Sequence, residues 1–437
     1  MSSSTVTLEK IVALCKRRGF VYPSAEIYDG LNGVYDFGPL GTVLKNNIKQ
    51  AWLKSVTSFA EDVVQLDGSI LGAEQVWKAS GHLANFSDPM VDCLNCKKRY
   101  RADELDLEKS CPSCGIKQWT DVRQFQLMFK TQLGAMSNAS SDAYLRPETA
   151  QSIFINFKNV MSSNRVKIPF GIAQIGKAFR NEITPKQFLF RMREFEQMEL
   201  EFFCKGEQAD DFFAIWSERR KAFFANLGIT PEKLRLRPHA SDELAHYSKA
   251  CVDVEYNFPF GWKELEGIAN RADFDLTQHS KHSGKDLAIF DEATKRSYMP
   301  HVVECSVGVD RLFLTLLFDA YYEDNIEGET RTVLRLHPTV APVTAAILPL
   351  TNKLSEQTRT LFFNLKKTGY RVQLDESGSI GKRYRRQDEI GTPVCFTFDF
   401  ESLEDNKVTA RNRDTLTQER IAIDSLPTYL DALLKNS

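Results

Sequence analysis

A change of pattern near His337 divides the chain into two unlike parts. Pro338 and Pro342 interrupt the chain there, and the apolar segment AAILPL follows them. Beyond this point, apolar strand patterns alternate with helix patterns, which is typical of a small α/β domain. Before it, short segments of alternating polarity favour an antiparallel sheet with helices at its sides. We therefore predict an α+β chain with domains at 1–336 and 337–437.

The composition excludes several classes of protein. With 437 residues, 42% of them hydrophobic, the chain is long enough for two or three domains with their own cores. Its 56 basic and 58 acidic residues leave a net charge of −2, so any nucleic-acid site must be a local patch. No apolar run approaches a membrane span or a signal-peptide core. We expect a cytoplasmic protein without membrane contact, whose cysteines stay reduced.

Four of the nine cysteines form two C-x-x-C pairs in a segment at 91–116. Cys93 and Cys96 are separated by 14 residues from Cys111 and Cys114. This spacing is typical of a zinc ribbon, and four thiolates make a closed site, so the pattern predicts structural Zn²⁺. The alternative is an insert that carries four free thiols.

The other cysteines and the histidines show no metal-binding spacing. Five cysteines are scattered, and we predict that they are core residues: 15, 204, 251, 305 and 395. His279 and His282 fall in a polar stretch, 279–285, and we predict a loop there with solvated imidazoles.

One segment carries residue types that suit a nucleotide. In 179–195, two predicted strands joined by a loop place Arg180, Glu182, Arg191 and Phe195 within reach of one ligand. An arginine can clamp a phosphate, a carboxylate can accept from an exocyclic amino group, and a phenyl ring can stack on a purine. The alternative is a ladder of surface ion pairs on a charged hairpin.

A second segment, ECSVGVDR at 304–311, lies where a strand meets an apolar helix. Gly308 at that junction allows close approach of a ligand, and Arg311 falls in the first turn of the helix. A buried arginine needs an anionic partner, which a phosphate could supply. The alternative is an ordinary ion pair with Asp310 or Glu304.

A third segment, YDFGPLG at 35–41, precedes an amphipathic helix, and in this order the three segments resemble motifs 1, 2 and 3 of class II aminoacyl-tRNA synthetases. Four longer stretches resemble the single-chain, homodimeric glycyl-tRNA synthetases: RPETAQ, FRNEITPKQFLFRMREFEQMELEFF, ELEGIANRADFDL and GKRYRRQDEIGTPVCFTFD. The resemblance runs from about residue 28 to the end of the sequence.

The resemblance implies a fold and a reaction. The fold would be an α+β class II antiparallel sheet flanked by helices, with a zinc-ribbon-like insert and a C-terminal mixed α/β anticodon-binding domain. The chain would be a glycine–tRNA ligase. It would activate glycine with ATP to glycyl-adenylate and transfer glycine to the 3′ end of tRNA(Gly).

The resemblance also implies the residues of the site, with Arg180 and Arg311 as the catalytic residues. The ATP-binding residues would be Arg180, Asn181, Glu182, Phe190, Arg191, Met192, Arg193, Glu194, Phe195, Glu264, Leu265, Gly308, Val309, Asp310 and Arg311. The glycine-binding residues would be Arg101, Glu148, Phe195, Glu196, Gln197, Met198, Glu199, Glu304, Cys305, Ser306, Val307 and Gly308. Mg²⁺ would bridge phosphates, with Glu264 and Glu304 as ligands. For Glu199 and Glu304 the alternative is pairing with the arginines of motif 2.

The C-terminal part carries basic residues that suit RNA. They are Lys382, Arg383, Arg385 and Arg386 at a predicted helix start, with Lys366, Lys367, Arg411 and Arg413. The resemblance implies that this part binds the anticodon, whereas the alternative is a solvated basic helix face.

Three other functions compete with this prediction. They are a class II synthetase for another amino acid, a non-catalytic paralogue and a zinc-ribbon RNA-binding protein. The presence of Arg180, Arg191 and Arg311 argues against a non-catalytic paralogue.

Overall fold

The computed structural model describes residues 6–58, 62–134, 142–245, 247–326 and 328–435. Within these ranges the helices are α1 Leu8–Arg18, α2 Pro39–Thr57, α3 Glu74–Ala79, α4 His82–Asn85, α5 Ala150–Asn164, α6 Ala209–Asn226, α7 Phe274–Ser283, α8 Val309–Ala320, α9 Ser355–Lys367, α10 Ile380–Ile390, α11 Ser402–Asp405 and α12 Leu426–Lys435.

The strands of the first part of the chain are β1 Val21–Pro23, β2 Tyr35–Phe37, β3 Val63–Gln65, β4 Leu71–Ala73, β5 Ser87–Asp92, β6 Arg99–Arg101, β7 Arg123–Gln126, β8 Lys130–Gln132, β9 Asp142–Leu145, β10 Phe170–Phe179, β11 Glu194–Cys204 and β12 Leu234–Pro238. They continue as β13 Ala250–Phe258, β14 Gly261–Ala272, β15 Ile289–Asp291, β16 Arg296–Tyr298, β17 His301–Gly308, β18 Tyr321–Ile326, β19 Glu329–Leu334, β20 Ala345–Pro349, β21 Val372–Leu374, β22 Val394–Phe398, β23 Lys407–Asn412 and β24 Gln418–Ala422.

A seven-stranded sheet forms the centre of the first part. Its strand order is β12-β13-β14-β17-β11-β10-β3, and every pair is antiparallel except β10 with β3. Side chains alternate between its faces, so β11 buries Met198 and Leu200 in one cluster with α2, α6 and α8. On the other face Phe203 packs against α5 in a second cluster. The predicted antiparallel sheet flanked by helices is confirmed.

Local sequence explains where the helices begin and end. The Thr7 side chain accepts a hydrogen bond from the Lys10 backbone N–H at 3.4 Å, which caps α1, and Gly19 ends the helix with a φ of 73°. Pro39 occupies the start of α2, where its missing N–H costs no intrahelical hydrogen bond.

The helix α7 corrects the loop predicted for 279–285. The polar residues of this stretch continue the helix to Ser283, and Gly284 ends it with a φ of 69°. His279 is buried, and its Nε2 lies 2.8 Å from Gln151 Oε1, so a buried partner replaces the expected solvent. The polar residues suggested an exposed loop, because the sequence alone does not show that His279 has a buried partner.

The C-terminal part contains a five-stranded mixed sheet in the order β21-β20-β22-β23-β24. The strand β20 pairs in parallel with β21 and β22, and the remaining pairs are antiparallel. This sheet has its own cluster of buried residues, including Ile347, Phe396 and Leu430. The mixed α/β architecture predicted for this part is confirmed. None of the helices in the described ranges combines the length and the apolar character that a membrane crossing requires.

Candidate active site

A cavity of about 440 Å³ opens on the central sheet, between β10, β11, β13, β14, β17 and the start of α8. Many of its lining residues come from the segments that resemble motifs 2 and 3. They are Arg180, Glu182, Phe190, Arg191, Met192, Phe195, Gln197, Glu199, Glu304, Ser306, Gly308, Asp310 and Arg311. Glu148 and Glu264 line it as well. The predicted site residues of three distant segments therefore share one cavity.

Two arginines line this cavity, each beside an aromatic ring. The Arg180 guanidinium carbon is 5.2 Å from the centre of the Phe195 ring. The Arg311 guanidinium carbon is 4.5 Å from the centre of the Phe190 ring, and its Nη1 forms an ion pair with Glu264 Oε1 at 3.1 Å. Rings packed against a guanidinium fix its plane, which favours bidentate binding of a phosphate.

Acidic groups converge at one end of the cavity. Glu199 accepts hydrogen bonds from the Thr149 backbone N–H at 2.8 Å and from Ser306 Oγ at 2.7 Å. Glu304 accepts two hydrogen bonds of 3.1 Å from Arg271 Nη1. The alternative of pairing with motif 2 arginines is therefore not what the structure shows, since Arg271 belongs to β14.

Burial and mutual repulsion distort the ionisation of these acids. Burial, with the charges of Glu199 and Glu148 added, raises the pKa of Glu304 to about 7 although Arg271 opposes the shift. Burial and the Glu148 charge raise the pKa of Glu199. Burial would also raise the pKa of Glu148, but the charges of His82 and Arg271 outweigh it and hold the pKa below its usual value. A cation entering this end would relieve the repulsion.

Strand alternation keeps several predicted residues out of the cavity. Met198, Leu265, Cys305, Val307 and Val309 are buried in the hydrophobic core behind the sheet. Successive residues of a strand point to opposite faces, so the four strand residues turn away from the cavity, whereas Val309 begins helix α8. Their side chains face away from the cavity, so a ligand there would meet only the backbone of these five residues, and their part in the site stays a prediction.

Other predicted residues are held elsewhere by polar partners. Glu196 pairs with Lys45 and Lys49 behind the sheet. Arg193 donates to the backbone oxygens of Asn32 and Glu182 at 2.8 and 2.9 Å. Glu194 pairs with Lys177 in a half-exposed ion pair.

Arg101 and Asn181 also lie outside the cavity. The Arg101 guanidinium is 3.0 Å from Asp88 and 2.7 Å from Asp103, and these ion pairs hold it outside the cavity. The Asn181 backbone N–H donates to the Leu127 backbone oxygen at 2.8 Å, which ties motif 2 to the strand that leaves the insert.

The sequence motifs missed one wall of the cavity. It is lined by Leu189, His239, Glu243, Ala245, Tyr247, Ser248, Cys251, Asp253, Gly267 and Ala269. Cys251 was predicted to be a core residue, yet it is only partly buried and faces the cavity. Its neighbour two positions along β13, Asp253, faces the same way, which the period of a strand would have indicated.

The four paired cysteines of the insert lie close together. Cys93 Sγ is 3.6 Å from Cys114 Sγ, and Cys96 Sγ is 3.7 Å from Cys111 Sγ. All four sulfur atoms lie within 4.8 Å of one another. A tetrahedral ion with Zn–S bonds of about 2.3 Å separates its sulfurs by about 3.8 Å, so the geometry fits Zn²⁺.

Three of the basic residues predicted to face RNA are buried in the C-terminal part. Arg383 donates to the Glu376 backbone oxygen at 2.8 Å, and Arg411 forms a bidentate pair with Asp388 at 3.0 and 3.1 Å. Arg413 donates to the backbone oxygen of Leu336 at 2.8 Å. These arginines stabilise the fold, so the basic cluster is smaller than the sequence suggests. Lys366, Lys367 and Lys382 are exposed.

Comparison with known families and structures agrees with this geometry. Residues 129–321 match the tRNA synthetase class II core domain (G, H, P, S and T). Residues 344–433 match the anticodon binding domain. A prolyl-tRNA synthetase from Cryptosporidium parvum, solved with halofuginone and AMPPNP, has the same fold with a TM-score of 0.69 at 15% identity, over 100% of this chain and 77% of that one.

Curated relatives are similar over almost the whole length. The glycine–tRNA ligase of Alkaliphilus oremlandii is 53% identical over 98% of this chain and 99% of its own. That of Caldanaerobacter subterraneus is 52% identical with the same coverage, and that of Geobacillus thermodenitrificans is 51% identical over 97% of both chains. On this evidence the chain belongs to the glycine–tRNA ligase family of class II aminoacyl-tRNA synthetases.

Proposed function

We infer that the chain ligates glycine to tRNA(Gly), the activity that its family's name states, and that the cavity on the central sheet performs both steps. The single observation that carries the site assignment is the meeting of Arg180, Phe195, Glu199 and Arg311 around one cavity. Motif 2, which supplies Arg180, Phe195 and Glu199, and motif 3, which supplies Arg311, are far apart in the sequence, and one bent nucleotide beside an amino acid accounts for all four.

Activation needs no nucleophile from the protein. A glycine carboxylate oxygen attacks the α-phosphorus of ATP, forming the acyl phosphate bond while the bond to pyrophosphate breaks. Arg180 lies on the cavity wall with its guanidinium beside the Phe195 ring, where it can stabilise charge growing on the α-phosphate. Arg311 would bind the γ-phosphate, and Arg191 the distal phosphates. Catalysis is then positioning and electrostatic stabilisation.

The base end of the nucleotide would lie between motif 2 residues. Phe195 offers a ring face for the adenine, and Glu182 offers a carboxylate for its exocyclic amino group. Burial raises the pKa of Glu182 although the charges of Arg191 and Arg180 oppose the shift. A half-buried acceptor of this kind selects a base with an amino donor.

The acidic end of the cavity would hold the ammonium group of glycine. Glu199 and Glu304 supply negative charge, and Ser306, hydrogen-bonded to Glu199, closes the space between them. Glycine has no side chain, so affinity comes from charge and specificity from the lack of room for a methyl group. Overpacking by one methyl group costs about 1–3 kcal/mol, which is suited to rejecting alanine.

Magnesium would accompany ATP, with carboxylates of the cavity among its ligands. Glu264 fits best, because it is half-exposed beside Arg311, whereas the Glu304 oxygens already accept from Arg271. When bound, the ion would neutralise charge on the phosphates. Glu264 would then bind Mg²⁺ instead of Arg311, and Arg311 would be available to bind a phosphate.

The cysteine quartet would hold a structural zinc ion. Support comes from the sulfur distances and from the Ser113 backbone N–H, which donates to Cys111 Sγ at 3.4 Å. The site is closed by four sulfurs and lies on the insert, so its effect on the reaction is indirect. The centre of the Phe86 ring, next to the insert, lies 5.4 Å from the Arg180 guanidinium carbon. Loss of the zinc ion would therefore affect Arg180 through Phe86.

A homodimer is the proposed assembly. The turn before motif 1 exposes three large apolar residues, Ile27 at 87%, Tyr28 at 79% and Leu31 at 57%. An apolar patch of this kind marks a protein contact, and the motif 1 helix α2 follows it directly. Sedimentation of Ile27→Asp as a monomer, against a dimeric parent, tests the assembly.

The division of labour proposed for the chain places catalysis in 1–336 and anticodon binding in 337–437. The separate sheet and the separate core of the C-terminal part support this division. Ion pairs join the two parts, since Arg331 Nη1 is 3.2 Å from Asp388 Oδ2. RNA phosphates would meet the exposed lysines rather than the buried arginines.

The test of the function is ATP–pyrophosphate exchange across a panel of amino acids. We expect exchange with glycine and at least tenfold less with alanine or serine, which corresponds to about 1.4 kcal/mol. Serine exchange as fast as glycine exchange would overturn the pocket, and absence of exchange with every amino acid would overturn the catalytic assignment. Charging of tRNA(Gly) by the same preparation tests the second step.

A further inference from the structure

A histidine, a cysteine and an aspartate meet on the wall of the cavity that the motifs missed. His239 follows β12, whereas Cys251 and Asp253 belong to β13. One ligand atom from each, an imidazole nitrogen, the thiol sulfur and a carboxylate oxygen, lies within 4.8 Å of the other two. None of the three has a role in the reaction proposed above.

The register of the sheet brings the three together. The strands β12 and β13 are antiparallel, with Arg237 opposite Asp253, and the His239 backbone N–H donates to the Cys251 backbone oxygen at 2.9 Å. Residues two apart on a strand share a face, so Cys251 and Asp253 point the same way. His239 Nε2 lies 2.8 Å from Asp253 Oδ2.

The neighbouring strand leaves space over this cluster. On β14, Gly267 is opposite Asp253 and Ala269 is opposite Cys251. A Cβ atom added at Gly267 would meet only Asp253 Oδ1, at 3.9 Å. All five residues line the cavity, so an ion held by the three would keep an open position towards it.

The surrounding charges favour a cation. Arg237 Nη1 lies 4.0 Å from Asp253 Oδ2 and opposes one. However, Arg237 also pairs with Glu243 and lies 4.0 Å from Glu255 Oε1. Arg235 also pairs with Glu255, at 2.6 Å, so two guanidinium groups face the carboxylates of Glu243 and Glu255, and the charge of Asp253 leaves the group net negative.

We propose that His239, Cys251 and Asp253 bind a soft divalent cation of the zinc class on the wall of the substrate cavity, separately from the cysteine quartet. Thiolate and imidazole ligands select Zn²⁺ or Cd²⁺ over Mg²⁺. Three protein ligands leave a position for water or a substrate oxygen, which is the arrangement of an open site. Binding releases the Cys251 thiol proton to the solvent as the sulfur–metal bond forms.

The probe is Cd²⁺ alone, added to the full-length chain in excess Mg²⁺ under reducing conditions. Cadmium per chain is measured after equilibrium dialysis, and the thiolate-to-cadmium charge-transfer absorbance is recorded alongside. The variants are Cys251→Ala and His239→Asn. The matched control is Cys395→Ala, which removes a thiol outside both clusters.

We expect the parent and Cys395→Ala to hold one more Cd²⁺ per chain than Cys251→Ala and His239→Asn. In a Cys111→Ala background, which leaves three thiols of the quartet, adding Cys251→Ala should still lower the charge-transfer absorbance by the share of one thiolate. Equal cadmium in the parent and His239→Asn, which keeps every thiol, overturns the site even if Cys251→Ala misfolds. The three residues would then line the cavity and form hydrogen bonds without binding a metal ion.

Discussion

Lys45 Nζ lies 2.6 Å from Asp310 Oδ1, and both side chains are buried. The pair joins the motif 1 helix α2 to the first turn of α8, directly beside Arg311. Burial disfavours the charged ammonium, but the charges of Asp310 and Glu196 outweigh it and raise the pKa of Lys45. The other oxygen of Asp310 accepts from the Glu196 backbone N–H at 2.7 Å, so one carboxylate holds motifs 1, 2 and 3 together.

Replacing Lys45 should destabilise the chain strongly. Lys45→Met leaves Asp310 as a buried charge without its ammonium partner, which costs about 3–5 kcal/mol. The matched control is Lys49→Met, which removes the more exposed partner of Glu196 at a cost of about 0–1 kcal/mol. Urea unfolding measures both, and equal free energies of unfolding in the two variants would contradict this account.

Replacing Arg180 should reduce activation without unfolding the protein. Arg180→Ala removes one stabiliser of the transition-state charge, at about 2.7–4 kcal/mol or about 10²–10³-fold in exchange rate. Lys177→Ala, two residues before the end of β10 in a half-exposed ion pair, serves as the control and should exchange normally. Near-normal exchange by Arg180→Ala would remove it from the site.

Glycine binding should weaken as the pH falls. Burial raises the pKa of Glu304 to about 7, so the carboxyl is protonated below that pH and no longer attracts the ammonium group. We expect the KM for glycine to rise about tenfold from pH 8 to pH 6, and the KM for ATP to change less. Glu304→Gln should bind glycine weakly at every pH with a flat profile, whereas a parent KM independent of pH would contradict the assignment.

Zinc loss should weaken ATP binding through the insert. Metal analysis should find one more zinc ion per chain in the parent and in Cys395→Ala than in Cys111→Ala. Because Phe86 contacts Arg180 and the Leu127 backbone oxygen binds Asn181, we expect a higher KM for ATP in Cys111→Ala. A zinc-free parent chain, or a variant with full zinc, would show that the quartet is not the ligand set.

Exposed and buried cations of the C-terminal part should behave differently. Lys382→Ala should weaken tRNA binding and lower its salt slope by about 1, with normal glycine-dependent exchange. Arg411→Ala should instead lower stability, because Asp388 loses a bidentate partner in the interior. Filter binding at several salt concentrations, with thermal unfolding in parallel, separates the two effects, and an unchanged salt slope in Lys382→Ala would exclude this lysine from the RNA surface.

The strand patterns predicted the two-part fold and the closeness of Arg180 and Phe195, because these are local signals, whereas the resemblance to class II synthetases predicted that Arg311 joins them. The sequence did not predict which arginines are buried, because the pairing of Arg411 with Asp388 depends on how helix α10 packs against the sheet. The cluster of His239 and Cys251 depends on the register between β12 and β13, which cannot be read from a single sequence. The excluded neighbours, such as Met198, could have been predicted from the period of β11.

The alternation along β11 limits how this site can change. Phe195 and Glu199 face the cavity, while Met198 lies behind the sheet in the apolar core. Inserting or deleting one residue in β11 would turn the following side chains to the opposite face of the sheet. Glu199 would then enter the apolar core, and Met198 would face the cavity. New specificities on this scaffold must therefore arise through substitutions at alternate positions, and length variation is confined to the loops.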